Sequence, residues 1–361
     1  MRKGGTHILC LCLVALCLLA SASLCSGARL TPGTRSQAAA APALTKGTAK
    51  FNNGTDIGPL TFEHARAMDI FYFATAAYCN ATSLDAWDSG RKVRIHPGMK
   101  DVSAYNTTVP LLWRIEKAPV LFFVLYDPKN NSVVLSFEGT QGDQMGDWVD
   151  DFMFAMSEVP TSWGWPSEEY LEMAVRIEEG FMLAWNEMRS HAYNLTTDLL
   201  REYPTAKFYI TGHSLGGALA GLASADLTLL GIPIERVYTF GSPRVGNLGW
   251  SYLYNEMLDL KDRTFRVVNG YDPVPHVPFT GVTFMRGYHH VGIEVWLNGY
   301  DFVQCNNVLP YDECKYSATC FYNEDLSCSA SQHICLTPSC IEMHLTYFQI
   351  FSDDKFCKEG C

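Results

Sequence analysis

The sequence is poor in charge, and poorest in positive charge. Only 18% of its 361 residues are charged, with 27 Lys and Arg against 38 Asp and Glu. That deficit argues against a nucleic-acid or anionic-membrane binder, which would carry a basic footprint. It does not signal disorder, because 48% of the residues are hydrophobic and 13% aromatic, more than a long unfolded chain carries. No internal repeat occurs, no Cys-x-x-Cys pair occurs, and no run beyond the first 28 residues is apolar enough to span a bilayer. What is present in unusual amount is cysteine. Thirteen are too few for a disulfide mini-protein and too many for an ordinary cytosolic enzyme.

Arg2 and Lys3 precede an apolar run, Ile8–Ala20, and small residues follow as Ala20-Ser21-Ala22 and Ser26-Gly27-Ala28. This is the layout of a secretory signal peptide over 1–28, which leaves no integral membrane span after cleavage and directs the protein to the secretory lumen or the exterior. Residues 29–50 are rich in Ala, Thr, Pro and Gly and read as a low-complexity spacer. Residues 51–361 are expected to form one catalytic domain. Secretion accords with acceptor motifs for N-glycosylation at Asn53, Asn80, Asn106, Asn130 and Asn194. It also makes disulfides, rather than a metal site, the expected fate of the Cys-rich stretch at about 305–340.

Apolar periodicity predicts a helix over Glu63–Tyr78 and strands over Val120–Tyr126 and Ser132–Phe137. Helices are then expected at Tyr170–Arg189, Thr197–Tyr203, Leu215–Leu230 and Leu248–Leu258. Strands are expected at Lys207–Thr211, Arg236–Phe240, Thr264–Asn269 and Tyr288–Leu297. Such alternation implies an α/β fold with a mainly parallel central sheet covered by helices on both faces.

The chemistry centres on Phe208-Tyr-Ile-Thr-Gly-His-Ser214-Leu-Gly-Gly217. A bare Gly-x-Ser-x-Gly arises by chance in roughly one chain in ten of this length, so it is weak alone. Here an apolar strand leads in and a helix rich in Ala, Leu and Gly leads out, as a nucleophile elbow requires. Ser214 is then the candidate nucleophile. A serine hydroxyl needs a base, and the base an orienting acid, in the chain order serine, acid, histidine. Asp272 follows the strand Thr264–Asn269 and is the candidate acid. Asp301 is the reserve, and Asp226 sits on the elbow helix, out of reach. Order alone does not choose among His276, His289, His290, His333 and His344. His344 is slightly favoured because an aromatic segment, Leu345-Thr-Tyr-Phe348, follows it, with His290 next.

Several motifs occur together in one order: Ala76-Ala-Tyr-Cys79, Val134-Leu-Ser-Phe-Glu-Gly-Thr140, Gly180-Phe181, Gly212-His-Ser-Leu-Gly-Gly217, Thr239-Phe-Gly-Ser-Pro-Arg-Val-Gly246, Asp272-Pro-Val-Pro, Gly287-Tyr-His-His290 and Ile341-Glu-Met-His344-Leu. In this the sequence resembles the secreted fungal-type triacylglycerol lipases, the class three lipase family of the α/β-hydrolase fold. The likeness runs from about 71 to 356. It implies His344 as the base, Ser214, Asp272 and His344 as the triad, and an oxyanion hole from the amides of Thr140 and Leu215. It also implies a Cys79–Cys357 disulfide and a lid at about 141–156. Glu138 departs from the pattern, in which a basic residue often stands there, and the Cys-rich stretch is an insert between acid and base.

Independently of the family, Trp148, Phe152 and Met156 fall on one face of a short helix, with Asp147, Asp150 and Asp151 on another. That suits a cover over an apolar, substrate-binding cleft that opens at a lipid surface. The expected activity is hydrolysis of acylglycerol esters at an oil–water interface by a monomer needing no metal or organic cofactor. A phospholipase A1 or a feruloyl or aryl esterase is the alternative on this scaffold. A lipid-binding protein without catalysis is the remote one.

Overall fold

A computed structural model describes residues 61–351, apart from 89, 111–116, 141–154, 166–173, 279, 281–286, 300, 307, 310–313, 315–321, 333–334 and 336. The signal peptide and spacer (1–50), Asn53, Trp148, Phe152, His333 and Cys357 lie outside the described residues, as does most of the lid segment.

Among the described residues, eight strands form the central sheet: β1 (Lys100–Pro110), β2 (Lys117–Asp127), β3 (Ser132–Phe137), β4 (Lys207–His213), β5 (Arg236–Phe240), β6 (Thr264–Asn269), β7 (Ile293–Asn298) and β8 (Asp301–Cys305). They lie across the sheet in chain order. Strands β3 to β7 pair in parallel, and β1–β2, β2–β3 and β7–β8 in antiparallel. The fold is therefore α/β with a mixed, mainly parallel sheet. The inner strands read as unbroken apolar runs because both faces are covered. Alternation along β2 shows this directly: Val120, Phe122 and Val124 enter one core cluster, and Leu121, Phe123 and Leu125 the other.

Helix α1 (His64–Ala76) packs in the second cluster. Helices α2 (Glu179–Glu202) and α3 (Leu215–Leu229) pack in the first. Among the described residues no helix is long and apolar enough to cross a membrane.

Four departures from the sequence reading have local causes. First, α2 is one helix where two were expected. Asn194 is exposed and Thr196 buried on it, so these polar residues do not break the helix. Its N-terminus is at Glu179 because the Glu178 carboxylate accepts a hydrogen bond from Phe181 N–H at 2.8 Å. Second, the Tyr288–Leu297 run is split. Tyr288–His289 joins a small second sheet with Gly246–Asn247, Arg176–Glu178 and Met156–Glu158. Gly292 is taken out of the ladder by side chains, its N–H bonding Asn255 Oδ1 and its carbonyl Asn323 Nδ2. Third, Leu248–Leu258 is α-helical only to Tyr252 and continues as a π turn over Leu253–Met257. Fourth, Met156 opens a strand rather than ending a helix, paired with Glu178 in the small sheet.

The small sheet contains a buried carboxyl. Burial pushes Glu178 up to about 7, against the opposing pull of the Phe181 and Gly180 amides. A carboxyl raised from 4.5 in the unfolded chain binds more protons when folded. Its contribution to stability is thus full below pH 4.5 and lost as pH rises to 7, by roughly 3 kcal/mol at most. Glu178→Gln keeps the capping oxygen and removes the titration. In urea unfolding the variant should match the parent near pH 4.5 and gain on it by pH 8. An unchanged difference between the two pH values would contradict this.

Candidate active site

Ser214 stands between β4 and α3 with φ 57° and ψ −127°, a left-handed-side conformation that costs a non-glycine residue energy. The surrounding glycines permit it by letting backbone come close. A Cβ on Gly212 would lie 2.1 Å from the Gly216 carbonyl oxygen, and one on Gly216 would lie 2.3 Å from that of Phe137. The end of β3, which leads into Gly139 and Thr140, is thereby brought against the elbow. Leu215 opens α3, where geometry leaves the first amides without helical partners. The Ser214 carbonyl takes the Gly217 amide at 2.9 Å. Thr140 follows β3 and is partly buried.

Asp272 and His344 are brought together across 72 residues. Both are fully buried, and His344 Nδ1 lies 2.9 Å from each Asp272 oxygen. Val274 N–H donates to Asp272 Oδ1 at 2.9 Å, and the Tyr347 hydroxyl to Oδ2 at 2.5 Å. Burial alone would raise the Asp272 carboxyl. The His344 charge and the hydrogen bonds from His344, Tyr347 and Val274 outweigh it and hold the group below its usual range. Because the carboxylate only accepts, His344 Nδ1 carries a proton, which leaves Nε2 as the nitrogen that can take up or release one. That Nε2 is buried and has no hydrogen-bond partner among the described residues.

Helix α4 (Pro338–Leu345) carries His344 in its last turn, and the Cys335–Cys340 disulfide closes its start. The aromatic segment after it is a hairpin, Thr346–Tyr347 with Ile350–Phe351, whose turn residues Phe348 and Gln349 have φ 51° and 62°. This hairpin, unread in the sequence, is what aims the Tyr347 hydroxyl at Asp272.

Other candidates fall elsewhere. Asp301 is exposed at the start of edge strand β8. Asp226 is buried against Arg189, with Nε at 2.5 Å, and accepts from the indoles of Trp165 and Trp185. His290 Nε2 is engaged by the Pro275 carbonyl at 2.7 Å, and His289 Nδ1 faces that of Tyr322. His276 is buried with Nε2 unpartnered among the described residues.

Cys305 bonds Cys328, and Cys79 and Cys314 are also disulfide-bonded. Glu294 lies beside the sulfurs of Cys305 and Cys328, but sulfurs joined to each other are not thiolate metal ligands. Asn80, Asn106 and Asn194 are exposed, and Asn130 is half-buried with its amide nitrogen on Asp127.

Gly241 is a site residue that the sequence reading quoted without a role. It has φ +59°, and a Cβ there would lie 2.8 Å from Asp272 Oδ2 and from His344 Nδ1 and Cε1. Gly241→Ala should push the imidazole off its place and lower kcat by about 10²-fold, the effect of an ångström-scale misplacement. It should also lower Tm by a few degrees. A variant with unchanged kcat would show that the pair tolerates displacement.

A buried imidazole–carboxylate pair of this kind can serve as a general base and hold a positive imidazole against the carboxylate. Comparison with known proteins follows the same line. A family model described as Lipase (class 3) matches residues 134–282. The secreted mono- and diacylglycerol lipase 1 of Fusarium solani is 31% identical over 227 residues, covering 63% of this chain and 61% of that protein. The lipase of Rhizopus oryzae is 27% identical over 255 residues, covering 69% and 58%. The chain thus spans about three fifths of the length of these curated relatives. Among solved structures, the lipase from Rhizopus microsporus var. chinensis superposes with a TM-score of 0.60 at 26% identity, over 81% of this chain and 90% of that one. Lipase II from Rhizopus niveus gives 0.58 at 25%, over 80% and 94%. Residues 134–282 match the class 3 lipase family, and by fold and by sequence the chain is similar to the secreted fungal lipases.

Proposed function

We propose that this protein is a secreted serine hydrolase that cleaves acylglycerol esters. His344 Nε2 takes the proton of Ser214, whose oxygen attacks the ester carbonyl. The tetrahedral oxyanion is held by the amides of Thr140 and Leu215. Collapse breaks the ester C–O bond, the imidazolium returns its proton to the leaving alcohol, and an acyl-serine remains. Water then attacks, giving its proton to His344, and the fatty acid leaves as Ser214 regains its proton. Asp272 keeps its negative charge throughout and stabilises the imidazolium.

The observation that carries the reading is the buried Asp272–His344 pair, its Nε2 unpartnered among the described residues. The backbone of His344 is tied to the residue before the strained Ser214, by a bond of 2.8 Å from His213 Nε2. Three relatives whose names give mono- and diacylglycerols, and others named as triacylglycerol lipases, support acylglycerols as the substrate class. The word "secreted" in the first two names and the disulfides support export. The lid reading, kept for 141–155 because Met156 belongs to the small sheet, gives the interfacial element of the proposal.

The test is fatty-acid release from emulsified triglyceride, phosphatidylcholine vesicles and a soluble short-chain ester, measured side by side. The proposal expects emulsified glyceride to be turned over fastest, with a jump in rate as the short-chain ester passes its solubility limit. Faster release from the vesicles would make the protein a phospholipase A1. Activity on the soluble ester alone would make it an esterase.

A further inference from the structure

His213, the residue before Ser214, is fully buried, and both of its ring nitrogens are engaged. Nδ1 lies 2.7 Å from the Tyr78 hydroxyl and Nε2 lies 2.8 Å from the backbone carbonyl of His344. A carbonyl oxygen only accepts, so Nε2 carries the proton and Nδ1 accepts from Tyr78. Tyr78 comes from the end of the segment following α1, 135 residues earlier in the chain. Its hydroxyl also abuts the oxyanion side: a Cβ on Gly139, next to Thr140, would lie 2.2 Å from it and 2.5 Å from the His213 carbonyl. Three segments that never meet in sequence are thus joined through one hydroxyl and one imidazole: the end of β3, the elbow, and the end of α4.

The geometry points to Tyr78 and His213 as positioning residues that fix the distance between the Ser214 elbow, the Thr140 amide and the His344 base. This rests on the catalytic reading of Ser214 and His344 given above, and it adds to that reading two residues that act through others. The brace acts on the backbone of His344, whereas Asp272 acts on its ring, so the two constraints are complementary. The His213 and His344 rings are 4.6 Å apart. A positive His213 would oppose the imidazolium that forms on His344, and the hydrogen bond that Nδ1 accepts from the Tyr78 hydroxyl favours the neutral ring instead. Burial first, and then His344 itself, push the His213 imidazole down to about 3, so it stays neutral at neutral pH.

The experiment uses the full-length enzyme. Active serine is counted with a fluorophosphonate, and kcat and KM for a soluble short-chain ester are expressed per titrated serine. Tyr78→Phe should lower kcat by roughly 10- to 100-fold while KM moves less than about threefold. His213→Leu should lose more. His213→Gln, which can still offer an N–H to the His344 carbonyl, should recover at least about tenfold over Leu. Imidazole nitrogen NMR should find His213 protonated at Nε2 with no substrate present. Tyr78→Phe within about twofold of the parent per titrated serine, Gln no better than Leu, or an Nδ1-protonated His213 would each overturn the brace. If His213→Leu does not fold, Tyr78→Phe carries the kinetic test by itself. A parent enzyme that takes no fluorophosphonate would remove the catalytic reading, and this proposal with it. An active parent with indifferent variants removes this proposal alone.

Discussion

Replacing Ser214 by Ala is expected to lower kcat by roughly 10⁵- to 10⁶-fold, leaving only what binding and the oxyanion donors supply. The size follows from the role: with no hydroxyl there is no acyl intermediate, and His344 has nothing to activate but water. Stability should not fall with activity. Ser214 holds φ 57°, a strain that Ala also bears, and its backbone bond from N–H to the Phe240 carbonyl, 2.9 Å, survives the change. The variant should therefore fold, keep its Tm within a few degrees, and fail to hydrolyse any ester. Residual activity above about one part in a thousand would mean that another nucleophile serves.

Asp272→Asn is expected to lower kcat by about 10⁴-fold with KM little changed, as when a triad carboxylate becomes an amide. The local bonds say why. One Asp272 oxygen accepts from Val274 N–H, which can only donate, so the amide oxygen of Asn must face it. The amide nitrogen is then left toward Tyr347 and the His344 ring. Tyr347 can turn its hydroxyl to accept, but His344 Nδ1–H keeps only the amide oxygen that it shares with Val274 and meets an N–H donor in place of the second oxygen, so the imidazole shifts toward the tautomer with Nε2 protonated, which cannot act as base. The buried negative charge that stabilised the imidazolium is lost as well. Asp301→Asn is the contrast. Asp301 is exposed on edge strand β8, and its substitution should leave kcat within about twofold. Equal losses at the two positions would refute the assignment of the acid.

The legible part of this protein was the part written in short range. Arg236–Phe240 and Thr264–Asn269 are apolar runs of strand length flanked by turns, and both are strands with those bounds. The elbow was legible because its glycines, serine and flanking elements are contiguous. Strand β1 was missed because it lies at the sheet edge, where Ser103, Asn106 and Thr108 need no apolar face. The break at Val291-Gly292 was missed because Asn255 and Asn323, far off in sequence, take the hydrogen bonds that a strand would use.

The site divides the same way. Asp272 could be argued from a strand end, but five histidines followed it, and only the resemblance chose His344. Gly241, Tyr78 and Tyr347 each sat in a quoted motif or segment and had no assignable role. Their roles consist of contacts with residues between 31 and 135 positions away. No periodicity or spacing records such contacts, since they exist only once the sheet has brought the strand ends together.

The central claim is that Ser214 is the nucleophile, activated by His344. The most direct measurement is to label the enzyme with a fluorophosphonate, digest it, and locate the adduct by mass spectrometry. A single adduct on the peptide containing Gly212-His213-Ser214-Leu215, formed stoichiometrically with loss of activity and slowed by about 10⁴-fold in Asp272→Asn, is the predicted result. An adduct on any other serine, or inactivation at the parent's rate in the Asp272→Asn variant, would contradict it.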